Sequence, residues 1–483
     1  MSDNTLTGIP AVGLIDRTTL YIGGAWVAPR GEGVIEVVDP ATEQVLATVP
    51  AGDAKDVDTA VAAARAALPG WSRTTPAKRR FYLDRLHRAL LGRAEEIATT
   101  ISAETGTPLE AARAVQAALP AAVVSSYADL LTGSASRDRA AGSQVIKEPV
   151  GVVAAITSGG DPLHRIATTV GGALAAGATV VLKPSASAPL SAYILAEILH
   201  GIGLPAGVFN LVPGTGPVAG EALVSHPGVV MVSFTGSPRV GRRIAEAAAT
   251  FTRRSLDVDG RSVVVLPGAD LPDAVRRTVA EAMTGGGRAR TAPTRLLVPA
   301  DRCDEAVELA RAATEEYTVG APDDPATRVG PLSSLARRDR VRACLEHAVA
   351  EGARLVTGGP EAPDHLPVGA YVRPTVLADV TEGMAVAREE IPGPVLLVMA
   401  YRDEEEALRI ADTTGRGASA AVFAGTRAKA VEFARRMDVG TVVINGGSAY
   451  PHAPSAGTRR SGSGGEPEVR SLDDFQWTRS LRF

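Results

Sequence analysis

Residues 148–185 read EPVGVVAAITSGGDPLHRIATTVGGALAAGATVVLKPS. Two short β-branched runs, GVVAAIT and TVVLKPS, enclose a Gly/Ala-rich helical stretch. A strand covered by helices on both faces of its sheet shows a continuous apolar run, so this segment is a βαβ unit. The pattern continues outward with an amphipathic helix over Leu190–His200 and the runs VFNLVPG and VVMVSFTGS. A second alternation begins near Arg261: SVVVLPG, TRLLVPA, helices at Asp304–Glu316 and Ser334–Glu351, ARLVTGG, PVLLVMAY, a helix at Asp403–Asp412, ASAAVFAG and GTVVING. The fold class is α/β, and two such blocks predict two domains facing a cleft, joined by the polar stretch Thr250–Gly260. Upstream, Asp58–Pro69 and Ala77–Thr105 carry apolar residues at helical spacing and predict two helices.

The chain has 483 residues with 50 Lys plus Arg against 54 Asp plus Glu, a net charge of −4. That near-neutral balance excludes a broad nucleic-acid footprint, and 45% apolar with 22% charged residues excludes a disordered chain. Two cysteines, Cys303 and Cys344, make no disulfide framework and no C-x-x-C pair, which predicts a reducing cytoplasm. The start MSDNTLTG lacks the regions of a signal peptide. The longest weakly polar stretch, Ile166–Leu182, is broken by Gly171, Gly172 and Gly177 and falls short of the roughly 18 to 20 residues a bilayer requires, so no membrane segment is expected. No metal motif is present; Asp161 and His164 form only a two-ligand hint.

Three motifs point to chemistry. The run GTGPVA, from Gly214 to Ala219, matches G-x-G-x-x-A after a strand: either Gly214 and Gly216 let backbone approach a nucleotide, or they form an ordinary strand-to-helix turn. In FTGSPRVGRRI, Ser237 is suited to cap a helix and Pro238 to begin it, which turns free N–H groups and a positive dipole toward a diphosphate. Lys183 follows a strand directly, at the end where open α/β sheets bind ligands, and is either a ribose or phosphate contact or a solvated loop lysine.

Taken with EPVGVVAAIT, LKPSASAPL, TAPTRLLV, EEIPGPVL and GTVVING, these runs resemble the NAD(P)-dependent aldehyde dehydrogenase superfamily, from about Tyr21 to the C-terminus. The resemblance implies a Rossmann-like dinucleotide-binding domain over 1–131 and 147–255, and a catalytic-type α/β domain over 256–447. It also implies a small β oligomerisation flap from 132–146 and 471–483, hence a homodimer or homotetramer. Lys183, Ser185, Gly216, Gly236, Ser237 and Glu390 stand at its cofactor-contacting positions. Ala186 stands where NAD-preferring members carry a Glu, which leaves both NAD and NADP open.

The catalytic positions depart from the pattern. The family's nucleophilic cysteine precedes a run like Thr291–Arg295, and Arg290 stands there. A guanidinium stays protonated and has no lone pair suited to attack. Gly160 occupies the position of the oxyanion-binding Asn, where losing one donor costs about 3 to 4 kcal/mol in a comparable case, and Asp161 beside it adds negative charge. Asp257 replaces the general base Glu, one methylene shorter. Asp259 stands for a glycine near nicotinamide, Gly285–Arg288 replaces the run before the nucleophile, Pro392 replaces a Phe, and Ser455 replaces an aromatic of the substrate funnel.

From these departures the sequence predicts a member without cysteine-dependent aldehyde oxidation. Asp257 and Arg290 would pair across the old cleft, and the role would be structural or regulatory, through self-assembly or a catalytic partner. Two alternatives stand beside it. One is a repurposed enzyme in which Arg288 and Arg290 clamp an anion, with Asp257 or Asp161 as base. The other is a protein that binds NAD(P) without turnover.

Overall fold

Each β-branched run named above forms a strand in the computed structural model of the chain, which describes residues 15–133, 139–140, 143–248, 253–257, 261–287, 292–389, 391–412, 416–417, 419–447, 458–459 and 472–482. The first seven-stranded sheet draws on β1 (Leu20–Ile22), β2 (Ala25–Val27), β4 (Val152–Ile156), β5 (Thr179–Lys183), β6 (Phe209–Leu211), β7 (Met231–Thr235) and β8 (Arg253–Asp257), with β3 (Ser143–Pro149) in a separate sheet. Its order is β8-β7-β4-β5-β6-β1-β2, parallel from β8 to β6 and antiparallel at β1 and β2.

Helices cover both faces, which is why β4 is apolar throughout. Val153 and Ala155 join one core with Leu163 and Ile166 of α5 (Pro162–Ala176) and Leu195 of α6 (Leu190–Gly201). Val152, Ala154 and Ile156 join the opposite core with Val57 and Val61 of α1 (Ala54–Ser72) and Ile244 of α8 (Pro238–Ala247). Each buried Val or Ile contributes about 1.5 to 3 kcal/mol of transfer free energy, so a strand with polar alternation would forfeit one core.

The second seven-stranded sheet runs β11-β12-β13-β10-β9-β14-β15. Its strands are β9 (Arg261–Val265), β10 (Arg295–Pro299), β11 (Arg354–Thr357), β12 (Thr375–Ala378), β13 (Val395–Tyr401), β14 (Ser419–Phe423) and β15 (Thr441–Ile444). All its pairings are parallel except β11 with β12. At the far end of the chain, β16 (Gln476–Arg482) pairs antiparallel with β3, and Phe475 just before it is fully buried.

Four local expectations need correction. Ala77–Thr105 is two helices, α2 (Pro76–Gly92) and α3 (Ala94–Thr105), parted at Arg93, whose φ −113 and ψ 20 are not helical. A further helix begins at Leu109–Ala111, passes through a π-helical segment Ala112–Ala117, and continues as α4 (Ala118–Gly133). By length and composition this helix, rather than the stretch Ile166–Leu182 that falls short, is the one among the described residues long and apolar enough to cross a membrane; half of its apolar window is buried, and it packs on α2 and α5. Finally, the stretch expected to link the two blocks contains β8, which extends the first sheet by pairing with β7 from Met231↔Arg253 to Thr235↔Asp257.

Candidate active site

The ladder register sets the site. Ile156 of β4 is aligned with Lys183 of β5 and with Phe234 of β7, and Thr235 is aligned with Asp257 of β8. The C-terminal strand ends therefore form one crest: Asp257, Thr235, Thr157, Lys183 and, past β6, Val212. The chain runs from β4 outward through β5 and β6, then returns to lay β7 on the other flank of β4. The strand order reverses between β4 and β7, and ligands of open α/β sheets bind at such a switch point.

Lys183 is only 5% exposed, so it is not a solvated loop lysine. Its Nζ donates to Pro184 O at 2.7 Å and Gly214 O at 3.0 Å, tying the loops after β5 and β6 together. An ammonium has three donors, and these bonds leave the third. Burial pulls its pKa down to about 8. Beside it, the Ser185 and Ser187 hydroxyls share a bond of 3.0 Å. The Ser158–Asp161 loop lies against them: a Cβ at Gly159 would stand 2.9 Å from Ser187 Oγ and 3.1 Å from Ser185 Oγ. Gly160, next in this loop, is half-buried.

Ser237 is the N-cap of α8 and Pro238 its first residue, as expected, but the Ser237 side chain makes no capping bond. The first-turn N–H groups are thus left to another acceptor, the condition in which a helix start binds anions. Gly236 precedes it at the end of β7. Gly216 starts a π-helical turn, Gly216–Gly220, that leads into α7 (Glu221–Ser225). Between this turn and α8 lies a cavity of about 330 Å³ bounded by Ile156, Val224, Val240 and Ile244, with Arg239, Glu221 and Arg243 at its polar side. Glu221 and Arg243 form an ion pair.

Asp161 stands at the start of α5, where its carboxylate accepts from Gln116 Nε2 at 2.5 Å and pairs with Arg165 at 3.4 Å. Its charge is therefore partly compensated inside the fold. Gln116 comes from the π-helical segment 112–117, a distortion often found at functional sites. Sequence reasoning missed Gln116, which lies 45 residues from its partner. It missed Arg165 as well, although the i,i+4 spacing from Asp161 is a signal that could have found it. Two further groups escaped notice. Thr157 carries a buried hydroxyl with no partner among the described residues. Glu104, fully buried, accepts from Leu190 N at 2.8 Å and Ser191 N at 3.4 Å and so holds the start of α6.

The remaining predicted residues fall at the edge of the description. Asp257 is placed by its backbone only, so its side-chain pairing lies outside the described residues. Arg288, Arg290 and Glu390 also lie outside them. Just before Arg288, Gly285, Gly286 and Gly287 all have positive φ, near 63°, 68° and 66°, and a Cβ on Gly287 would overlap the Gly393 carbonyl. Cys303 begins α9 (Cys303–Glu315) and Cys344 lies within α10 (Leu335–Ala350). Burial pushes both thiols up, so neither is a ready thiolate. No group of three or more His, Cys, Asp or Glu suited to a metal occurs among the described residues.

An open α/β crest with a buried lysine, an uncapped helix start, an orphaned hydroxyl and an apolar cavity defines a dinucleotide-type crevice. The aldehyde dehydrogenase family model matches residues 26–481, and the chain belongs to that family. It is 41% identical to a 3-succinoylsemialdehyde-pyridine dehydrogenase of a Pseudomonas species, over 95% of this chain and 97% of the relative. Against a geranial dehydrogenase of Castellaniella defragrans it is 38% identical, over 97% and 99%. A variant of aldehyde dehydrogenase C from Pseudomonas syringae, solved with NAD+ and octanal, superposes with a TM-score of 0.94 at 42% identity, covering 98% of this chain and 97% of that one. The Mycobacterium tuberculosis aldehyde dehydrogenase solved with NAD+ gives 0.94 at 35% identity, covering 98% and 99%.

These matches overturn the expectation of a non-catalytic scaffold, together with its two alternatives of repurposed chemistry and binding without turnover. Relatives matched from end to end are named as dehydrogenases, and one neighbour holds dinucleotide and aldehyde together. That expectation rests on a few positions, of which Asp257, Asp259, Arg288, Arg290 and Ser455 have side chains outside the described residues.

Proposed function

We propose that the chain oxidises an aldehyde to a carboxylic acid with a nicotinamide dinucleotide as hydride acceptor. The observation that carries this reading is the crest of the first sheet, within a fold that matches an NAD+ and octanal complex over 98% of the chain. In the balanced reaction, aldehyde, water and oxidised dinucleotide give carboxylate, reduced dinucleotide and two protons. The dinucleotide, when bound, supplies the hydride acceptor.

Lys183 directs its third donor at the dinucleotide, with Ser185 beside it. Gly216 and Gly236 let backbone come close, Ser237 and the first turn of α8 face the diphosphate, and Glu390 serves the nicotinamide ribose. Asp257, at the end of β8, takes a proton from water. Asp161, held by Gln116 and Arg165, gives the substrate side a polar wall. The chain works as a homo-oligomer; β16 supports this with Trp477 45% and Leu481 39% exposed. Two free cysteines accord with a reducing cytoplasm.

Arg290 supplies no thiolate, so the test follows hydride transfer directly rather than through a thiol-blocking reagent. The purified chain is given octanal or a semialdehyde with NAD+ or NADP+, and the reduced dinucleotide is followed by absorbance. Aldehyde-dependent reduction that is lost in Asp257→Ala is expected. No reduction across an aldehyde panel, under conditions where a relative turns over, sinks the proposal.

A further inference from the structure

The cavity beside α8 has a polar side that an uncharged adenosine would not need. Its walls are apolar: Val224 and Ile156 lie on one side, Val240 and Ile244 on the other, and Pro217 and Gly220 close it near the Lys183 stem. A flat heteroaromatic ring fits such a slot. Three charged side chains also line it. Arg243 is engaged by Glu221. Arg239 is exposed and has no carboxylate partner among the described residues. Two guanidiniums and one carboxylate line the cavity, and Glu246, whose field also reaches Arg243, is not among its lining. The neighbouring loop, Pro184–Ala188, adds no carboxylate that would repel an anion.

Resting on the dinucleotide reading above, we propose that Arg239 selects the cofactor: it binds a phosphate on the 2′ oxygen of the adenosine ribose, so the chain prefers NADP+ to NAD+. A guanidinium offers a planar fork to phosphate oxygens, and an Arg beside the ribose is a general solution for the 2′-phosphate. Arg243 assists to the extent that it leaves Glu221. Glu221 itself opposes the added charge, so the pair sets how strong the preference is. NAD+ lacks the phosphate and leaves Arg239 in water.

Calorimetry on the full chain tests this without turnover, using NAD+, NADP+, 5′-AMP and 2′,5′-ADP as separate titrants. A charge-assisted phosphate contact predicts that NADP+ binds roughly tenfold or more tighter than NAD+, with 2′,5′-ADP likewise ahead of 5′-AMP. Arg239→Gln removes most of that difference and leaves NAD+ affinity within about twofold, Arg239→Lys restores part of it, and Glu221→Gln tightens NADP+ several-fold. Equal or tighter binding of NAD+, or an Arg239→Gln effect that is the same for both dinucleotides, overturns the selectivity and leaves the dinucleotide reading standing. Binding of neither dinucleotide overturns both.

Discussion

Glu104→Gln isolates a buried carboxyl that orders the crevice from behind. Glu104 has no exposure and sits under the start of α6, the helix that follows the Ser185 loop. Two effects oppose each other there. Burial disfavours the carboxylate, whereas the Leu190 and Ser191 N–H groups favour it. Burial is the larger and pushes the pKa from 4.5 up to about 8. With the folded value raised, the stabilisation is fully present below about pH 4.5 and is lost as pH rises through about 8. The shift is 8 − 4.5 = 3.5, and at about 1.36 kcal/mol per pKa unit the ceiling is roughly 5 kcal/mol. Glutamine mimics the protonated acid at every pH. Urea denaturation from pH 5 to 8.5 is therefore expected to show the two proteins close at the acid end, with the variant gaining by several kcal/mol toward the alkaline end. Parallel profiles, or a variant that loses ground as pH rises, would show that the backbone N–H groups and the helix start win and that the residue is a buried anion.

Three other outcomes follow from the crest. Lys183→Met removes the ammonium that bridges Pro184 and Gly214, and dinucleotide affinity measured by calorimetry falls about tenfold or more. Because the Lys183 pKa lies at about 8, wild-type affinity weakens as pH rises through that value, and the Met variant shows no such step. Gly287→Ala forces a side chain into left-handed backbone against Gly393, which costs about 1 to 3 kcal/mol or more and lowers the melting temperature; an unchanged melting point contradicts the close approach.

Central strands such as β4 and β5 were legible because they lie between two helical layers, and an uninterrupted β-branched run has few other ways to be buried; the short buried β12 was not named. The strand β8 was not, because RRSLD is a polar edge strand that resembles a linker in isolation. Helix punctuation was partly legible: Thr75-Pro76 marks a start, and Gly92 is the one residue in Leu91-Gly92-Arg93-Ala94 that hints at a break rather than a helix continuing for more than three further turns. In the site, the sequence placed Lys183, Gly216 and Ser237 at strand and helix ends but not the burial of the lysine or the missing cap. Those depend on which loops the ladder brings side by side. Gln116 belongs to the same class, since a π-helical turn has no sequence period that reveals it.

Arg290 marks the distance between a residue and a reaction. A guanidinium forms no thiohemiacetal, which follows from its chemistry alone. Without the thiolate, turnover requires that water be activated toward the carbonyl carbon and that a hydride acceptor lie within reach. Those conditions depend on the crest, whose Asp257, Thr235, Thr157 and Lys183 are set by the register of the parallel strands β8, β7, β4 and β5. That register is held by two apolar cores, and slipping any strand by one residue would turn its buried side chains to the opposite face. The strand ends that form the crevice are therefore set by sheet register and by the packing of two apolar cores.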